Sequence, residues 1–459
     1  MRVSVSDLVN KYEDYLNKSI VFRARVHNVR GKGNAAFLVL RDTVYLVQAC
    51  AFVSENLPKP LVKSLQKLPR ETIIDVTGVV APVEKEIQTA DLKKAEIQIE
   101  SYTTIVQPDP RLVFTVEDAM HKETEDESII TVAQPTRLNA RALDLRTPAN
   151  QAIMRIKAET CKLFREYLLE HDFMEIQSPK LIAGSSEGGS AVFKFKYFDR
   201  DGCLAQSPQL YKQMAVASGF SRVFEIGPVF RAENSLTHRH LCEFVGLDLE
   251  MEIFDHYHEV LDMLEGLFRH IFEGLLERCD SLIKVMATQH DYEPIKLKWP
   301  AVRLDFPEAV AMLREAGAEV GDFDDLSTVN EKLLGKLVRD KHDTDFFILD
   351  RFPSAARPFY TMPADDDPQY SRSYDVFLRG EEITSGAQRI HDPAVVAERA
   401  AQCGIDVGTL KYYIDAFKYG APPHGGAGIG LERLVMLFLG LHNVRKTSMF
   451  PRDPTRLEP

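Results

Sequence analysis

Two arginines far apart in the chain, Arg231 and Arg433, sit in surroundings that suit a single anionic ligand. Arg231 belongs to the stretch 225–252, EIGPVFRAENSLTHRHLCEFVGLDLEME, which alternates apolar and polar residues on both sides of a polar turn and reads as a long antiparallel hairpin. Val229, Phe230, Phe244, Val245 and Leu247 mark one face of it as buried. On such a face Arg231, Glu233, Arg239, Asp248 and Glu250 need partners, because an unpaired charge out of water is costly. Arg433 lies in the first turns of an apolar helix that opens directly from a glycine-rich run, HGGAGIGLERLVMLFLG at 424–440. Close backbone approach, a helix N-terminus and a guanidinium together suit a phosphate. The run has neither the GK[ST] ending of a P-loop nor GxGxxG spacing after a parallel strand, which disfavours both familiar nucleotide folds. A purely structural turn is the plainer alternative.

Asp375 and Glu382 straddle the turn at Arg379-Gly380, so antiparallel pairing can bring their carboxylates together. Two oxygen ligands beside phosphate-binding arginines suit Mg²⁺ carried with ATP, whereas alone they would be solubilising charges on an edge strand. His238, His240 and Cys242 alternate along one side of a strand like a zinc triad, but ligand contact is the simpler reading. The polar loop 185–190, SSEGGS, carries Glu187, and beyond it Gln209 and Lys212 stand one helical turn apart on one face.

These residues must be positioned by a chain of 459 residues, long enough for two or three domains. It is 45% hydrophobic and 27% charged, as soluble globular proteins are, and it has no run of 18 apolar residues or signal peptide. It reads as cytosolic and not membrane-bound. Its six scattered cysteines indicate neither a disulfide framework nor a thiolate zinc site. A net charge of −12 argues against holding nucleic acid by bulk attraction, while leaving local recognition of single-stranded bases open.

Residues 1–106 read as five short strands with an amphipathic helix (Leu61, Val62, Leu65, Leu68) between the third and fourth, the order of an OB-fold barrel. Phe37 stands beyond a basic turn, RGKGN, where a base could stack on it; a core position is the alternative. Periodicity fails over 107–149, a proline-bearing, acidic linker. The remainder, 150–459, reads as helices and strands around the hairpin, with a mostly helical insertion at about 255–345. A helix running to His171 leads into an extended segment closed by Pro179, which suits a sheet edge or an oligomer interface.

The segments VFRAEN, THRHLCEF, GAQRIHD and GIGLERLVM resemble the motifs of class II aminoacyl-tRNA synthetases, subclass IIb, and within them the aspartyl-tRNA synthetases of eukaryotic cytosolic and archaeal type. The resemblance runs nearly end to end. It implies an α+β architecture, with an N-terminal OB-fold that binds the anticodon, a hinge, and a catalytic domain built on a mainly antiparallel sheet flanked by helices. It also implies a homodimer with Pro179 at its interface, and the substrates ATP, L-aspartate and aspartate tRNA.

Residue by residue, Arg231 resembles the arginine on the α-phosphate, Glu233 the reader of the adenine amino group and Phe244 the ring stacked on adenine. Arg433, following Gly430, resembles the arginine on the γ-phosphate of a bent ATP, with His240 near the same end. Asp375 and Glu382 match magnesium ligands, and Glu382 thereby joins the ATP site. Arg389 is similar to the arginine that grips the aspartate side chain, with Lys212 as second cation; Glu187, Gln209, Ser385 and Asp248 match residues around the ammonium group. Phe37, Gln48, Thr89 and Glu96 align with anticodon contacts. The chain begins almost at the barrel, so the lysine-rich extension of many eukaryotic members is expected to be absent or removed. An asparaginyl enzyme is disfavoured by two cations facing the substrate side chain, and a catalytically silent RNA-binding paralogue by the presence of Arg231, Arg433 and the acidic pair.

Overall fold

A strand of 14 residues, β1 (Ser19–Lys32), is long enough to bond two neighbours in succession. Its first half pairs with β4 (Ile73–Pro82), from Ser19↔Val79 to Arg25↔Ile73, and its second half with β2 (Ala35–Asp42), from Arg25↔Arg41 to Lys32↔Ala35. With β3 (Tyr45–Phe52) and β5 (Ala95–Val106) this closes a barrel in the order β1-β2-β3-β5-β4. The predicted five-stranded OB-fold is therefore present, its helix (Lys59–Leu65) between β3 and β4. Alternation sends Ile20, Phe22, Ala24 and Val26 inward, where they meet Leu38, Leu40, Val47, Ile74 and Ile97, with Val62 and Leu65 of the helix packed on them.

The structure is a computed structural model describing residues 1–109, 111–122, 126, 128–184 and 192–459. It divides into two compact units, 1–152 with 284–290 and 459, and 153–283 with 291–458. Among the described residues of 107–149, a single 3-10 turn, Asp118–Met120, is followed by two short α-helices, Gln134–Asn139 and Arg141–Asp144. They are too short to show a periodicity, and the buried carboxylate of Asp144 organises them by accepting from Arg137 at 2.6 Å and from Arg141.

The second unit contains β6 (Met174–Glu175), a small sheet of β7 (Leu181–Ile182), β8 (Lys194–Tyr197) and β9 (Arg200–Leu204), then β10 (Arg222–Phe230), β11 (Glu243–Glu252), β12 (Val302–Asp305), β13 (Phe346–Asp350), β14 (Ser373–Leu378), β15 (Glu381–Arg389) and β16 (His424–Gly430). Eight of these form one sheet in the order β12-β13-β14-β15-β16-β11-β10-β6. It is antiparallel except at its edges, where β6 runs parallel to β10 and β12 parallel to β13. The region expected to be mostly helical, about 255–345, is so. Helices His258–Arg278, Asp280–Ala287, Phe306–Glu315 and Thr328–His342 are there, and β12, the four alternating residues Val302, Arg303, Leu304 and Asp305, adds a strand to the sheet.

The helix His258–Arg278 buries Val260, Leu264, Leu267, Phe268, Ile271 and Leu275 at helical spacing. Phe272 of the same helix stacks on Phe438 at 5.8 Å between ring centres. Phe438 ends the helix Leu431–Phe438, most of whose side chains are buried, so the end of the glycine-rich run is fixed in the core. Among the described residues no helix is long and apolar enough to cross a membrane.

Candidate active site

β10 and β11 form the predicted hairpin, with Val229 opposite Phe244 and Glu225 opposite Asp248. Arg231 follows β10 directly, and its backbone N–H donates to Cys242 O at 2.9 Å, carrying the pairing one step into the turn. Its guanidinium lies 5.6 Å from the centre of the Phe244 ring, with Glu233 Oε1 at 3.9 Å. The turn beyond is held from several sides. His238 Nε2 meets Glu381 at 3.1 Å, and Arg239 donates to Glu331 at 2.9 Å and to Thr328 Oγ1 at 2.8 Å. Arg239 therefore ties the turn to the helix Thr328–His342.

Arg433 projects from the first turn after Gly430 and donates to Glu382 O at 3.2 Å and to Arg239 O at 3.4 Å. Arg231, Glu233, His240, Phe244, Glu382, Gly430 and Arg433 all line one cavity of about 460 Å³. Burial, and then the charge of Arg433, lowers the His240 pKa. Its Nδ1 is engaged by Thr237 Oγ1 at 2.5 Å and Ser235 Oγ at 3.3 Å. The zinc-like spacing of His238, His240 and Cys242 does not produce a cluster. Each side chain turns to a different neighbour, and among the described residues no group of three or more His, Cys, Asp or Glu could hold a metal.

The same cavity reaches Gln209, Asp248, Ser385 and Arg389. Gln209 is buried and its Nε2 has no hydrogen-bond partner. Arg389 donates to Glu250 at 2.9 Å and to Gly426 O at 2.9 Å, 5.4 Å from the centre of the Tyr360 ring. Burial alone would weaken its protonation, yet the Glu250 charge raises its pKa overall. Glu250, likewise, would be raised by burial but is lowered by Arg389, Lys212 and His424. Asp248 goes the other way, since burial outweighs the contact with Lys212 and raises it.

Lys212 departs from the expectation of an open second cation. Its Nζ is 2% exposed at the side chain and is occupied by Asp248 at 3.1 Å, Leu249 O at 3.3 Å and Ala427 O at 3.1 Å, with Glu250 at 3.4 Å. Two cations do not face the cavity unbalanced; Lys212 and Arg389 form a quartet with Asp248 and Glu250. Desolvation is the reason, because charges this deep persist only when paired. The glycines beside it make room: a Cβ at Gly246 or Gly428 would come within 2.7 or 2.9 Å of an Asp248 oxygen.

Asp375 pairs with Ser385 and Glu382 with Phe377, across a bulge between Val376 and Phe377. Burial pushes the Asp375 carboxyl up to about 7, against the lowering effect of Arg357 and with the help of Glu382. Arg357 Nη2 lies 2.9 Å from Asp375 Oδ2 and its Nη1 donates to Ser385 Oγ at 2.9 Å. Asp375 Oδ1 is buried without a hydrogen-bond partner. An orphaned carboxylate oxygen beside a second carboxylate that lines the cavity fits a magnesium ion completed by phosphate and water.

Residues 133–454 match the family of class II tRNA synthetases (D, K and N), and residues 20–105 the OB-fold nucleic acid binding domain. The chain belongs to the class II tRNA synthetases. The synthetase is 52% identical to the cytoplasmic aspartate–tRNA ligase of Homo sapiens over 459 residues, covering all of this chain and 91% of the human one. It resembles the aspartyl tRNA synthetase structure from Entamoeba histolytica with a TM-score of 0.91 at 46% identity, over 100% of this chain and 93% of that one. An asparaginyl-tRNA synthetase from Pyrococcus horikoshii, complexed with asparaginyl-adenylate, is more distant, at TM-score 0.84 and 30% identity over 97% of each chain.

In the barrel of the synthetase, Phe37 is part-exposed on the outer face, edge-on to Phe52 at 6.0 Å, so it is not a core residue. Gln48 Nε2 donates to Glu96 at 3.0 Å, and Cys50, opposite Phe37, approaches the same carboxylate. Thr89 is exposed in the β4–β5 connection. Pro179 is exposed between Ser178 and Lys180, both bound to Glu225 at 2.6 Å. Glu187 lies outside the described residues. The sequence reading missed Arg357 and Tyr360, which line the cavity from a segment whose irregular backbone leaves no periodic signal.

Proposed function

We propose that the synthetase joins L-aspartate to aspartate tRNA through an enzyme-bound aspartyl-adenylate. The observation that carries this reading is the single cavity that joins Arg231, Phe244 and Arg433 at one end to Arg389 at the other. In the first step an oxygen of the aspartate α-carboxylate attacks the α-phosphorus in line, and the bond to pyrophosphate breaks. Arg231 bears on the charge that develops there, Arg433 holds the distal phosphates, Phe244 stacks on the adenine and Glu233 reads its amino group. No side chain acts as nucleophile, so positioning within the cavity supplies much of the acceleration. In the second step the terminal ribose hydroxyl of the tRNA attacks the carbonyl carbon, and AMP leaves.

Asp375 and Glu382 would hold Mg²⁺ beside the phosphates, where it would neutralise charge on the leaving pyrophosphate. Arg389, fixed by Glu250, grips the aspartate side chain; Gln209, Ser385, Asp248 and Glu187 surround its ammonium group. The unpartnered Nε2 of Gln209 is a donor, so it would meet the substrate's α-carboxylate beside that ammonium group; a buried donor without an acceptor gains most from such a ligand. Lys212 acts indirectly, holding Asp248 and Glu250 in place. The barrel binds the anticodon through Phe37, Gln48, Thr89 and Glu96. Exposed apolar residues near Pro179, including Leu181 and Met174, support a homodimer formed at that edge, and the names of the relatives support a cytoplasmic site of action. The test is aspartate-dependent ATP–pyrophosphate exchange, with asparagine and lysine as controls. Exchange with aspartate alone is expected; none with aspartate, even with tRNA present, would refute the reading.

A further inference from the structure

The N-terminal unit carries a basic cavity that none of the roles above uses. Arg23, Arg25, Arg41 and Arg146 line a space of about 310 Å³, together with Asp42 and Gln151. All of them belong to the first compact unit. Three of these arginines are spent internally. Arg41 is buried, with Nη2 donating to both oxygens of Glu71 at 2.6 and 2.8 Å and Nη1 to His27 Nδ1 at 2.7 Å. Arg146 takes the same Glu71 at 3.1 Å, and Arg23 forms a two-pronged pair with Asp75 at 2.6 and 2.9 Å.

Arg25 differs. Among the described residues its guanidinium makes no hydrogen bond or ion pair; it only feels the charges around it. Burial and then the positive charges of Arg146 and Arg41 lower its pKa, outweighing Glu71 and Asp42. Four guanidiniums therefore gather around three carboxylates, Glu71, Asp75 and Asp42, in a chain whose net charge is −12. An arginine half-withdrawn from water beside like charges is relieved when an anion enters.

The register indicates which anion. On the β1–β2 ladder, Phe37 pairs with Arg30 and Arg41 pairs with Arg25. Phe37 and Arg41 are four residues apart on β2, about 13 Å along one side of the strand at the usual rise. A nucleic-acid strand with a base on Phe37 thus has its neighbouring phosphates within reach of the cavity, and a fork of N–H donors suits a phosphate rather than a base edge. We propose that this arginine-lined cavity is a phosphate subsite of the barrel, engaging the backbone of the bound tRNA and not its bases. The proposal rests on the reading of the barrel as the tRNA-binding unit.

The experiment measures binding of an aspartate tRNA transcript to the full chain at several salt concentrations. Arg25→Gln is expected to weaken binding about 3- to 10-fold and to reduce the slope of log affinity against log salt by about 1, the signature of one lost phosphate contact. Tested without tRNA, its aspartate-dependent exchange should match that of the unmodified chain, and Arg25→Lys should keep most of the salt slope. Unchanged affinity and slope in Arg25→Gln, with Phe37→Ala still weakening binding, would overturn the subsite and leave the barrel reading standing. If the unmodified chain binds no tRNA, both fall together. A second arm titrates inorganic phosphate against thermal stability. Stabilisation lost in Arg25→Gln, with tRNA binding equal in both proteins, would reassign the cavity to free phosphate and overturn the backbone contact.

Discussion

Glu250 and Arg389 meet across β16, with Arg389 Nε donating to Glu250 Oε1 at 2.9 Å. The pair passes over Gly426, where a Cβ would collide with Glu250 Oε2 and with Leu249 O. A glycine of the run thus serves an ion pair, beyond any service to a nucleotide. Glu250 also lies 3.4 Å from Lys212, so one fully buried carboxylate orients both cations.

Replacing Glu250 by Gln should therefore cost about 3 kcal/mol of stability, since breaking a buried pair leaves the other charges uncompensated. It should also raise the KM for aspartate at least tenfold and leave the KM for ATP within about twofold, because Arg389 would lose its fixed orientation. Exchange kinetics with each substrate varied in turn decide this. Equal changes in both KM values would remove Glu250 from the amino-acid pocket.

Arg389→Leu is expected to abolish aspartate activation while ATP binding, followed by calorimetry, persists. Because the substitution strands Glu250, the single variant should be less stable than the double variant Arg389→Leu, Glu250→Leu, in which both charges are gone. Denaturant midpoints test the stability order, and both variants should lack exchange. A double variant no more stable than the single one would mean that the pair is not coupled as its geometry indicates.

Asp375 supplies a pH dependence. Its carboxyl titrates at about 7 in the folded chain against 3.8 when unperturbed, so stability associated with the protonated form is lost as pH rises through 7. Asp375→Asn lacks this loss. The difference in unfolding free energy between variant and unmodified chain, from denaturant titrations without nucleotide, should move in favour of the variant between pH 5 and 7, by up to a few kcal/mol. The variant should also lose the extra stabilisation by ATP that magnesium confers.

His27 gives the opposite sign. Burial, and then the neighbouring Arg41, lowers its pKa from 6.5 to about 4. Arg41 can only donate, so His27 Nδ1 must accept, which requires the neutral ring. The folded barrel resists a proton that the unfolded chain binds, and stability should fall from pH 6.5 towards 4 by on the order of 2–3 kcal/mol. His27→Gln should flatten that fall, monitored by amide exchange within the barrel. Parallel losses in both proteins would show that His27 titrates normally.

The barrel was legible in the sequence because its strands alternate and one face is buried, a pattern that survives without knowledge of partners. The hairpin at 225–252 was legible for the same reason, and family motifs carried the positions of the phosphate-end residues. The edge strand β6 lies in the extended segment before Pro179 that reads as a sheet edge, whereas the four residues of β12 are too few for alternation alone to assign. Arg357 and Tyr360 were invisible because the segment around them has no regular structure.

By itself the sequence determined which residues carry charge on buried faces, where the strands and turns fall, and to which family the chain belongs. Only the tertiary structure decided which charges neutralise one another. Lys212 matches a second cation for the substrate in sequence, and in the fold it is enclosed by Asp248, Glu250 and two backbone carbonyls. Glu250 had no role until Arg389, 139 residues away in sequence, came within hydrogen-bonding distance. Periodicity reports on burial, which is a property of a single segment. The partner of a buried charge is fixed by the order of strands in the sheet, and that order is set by contacts between distant segments.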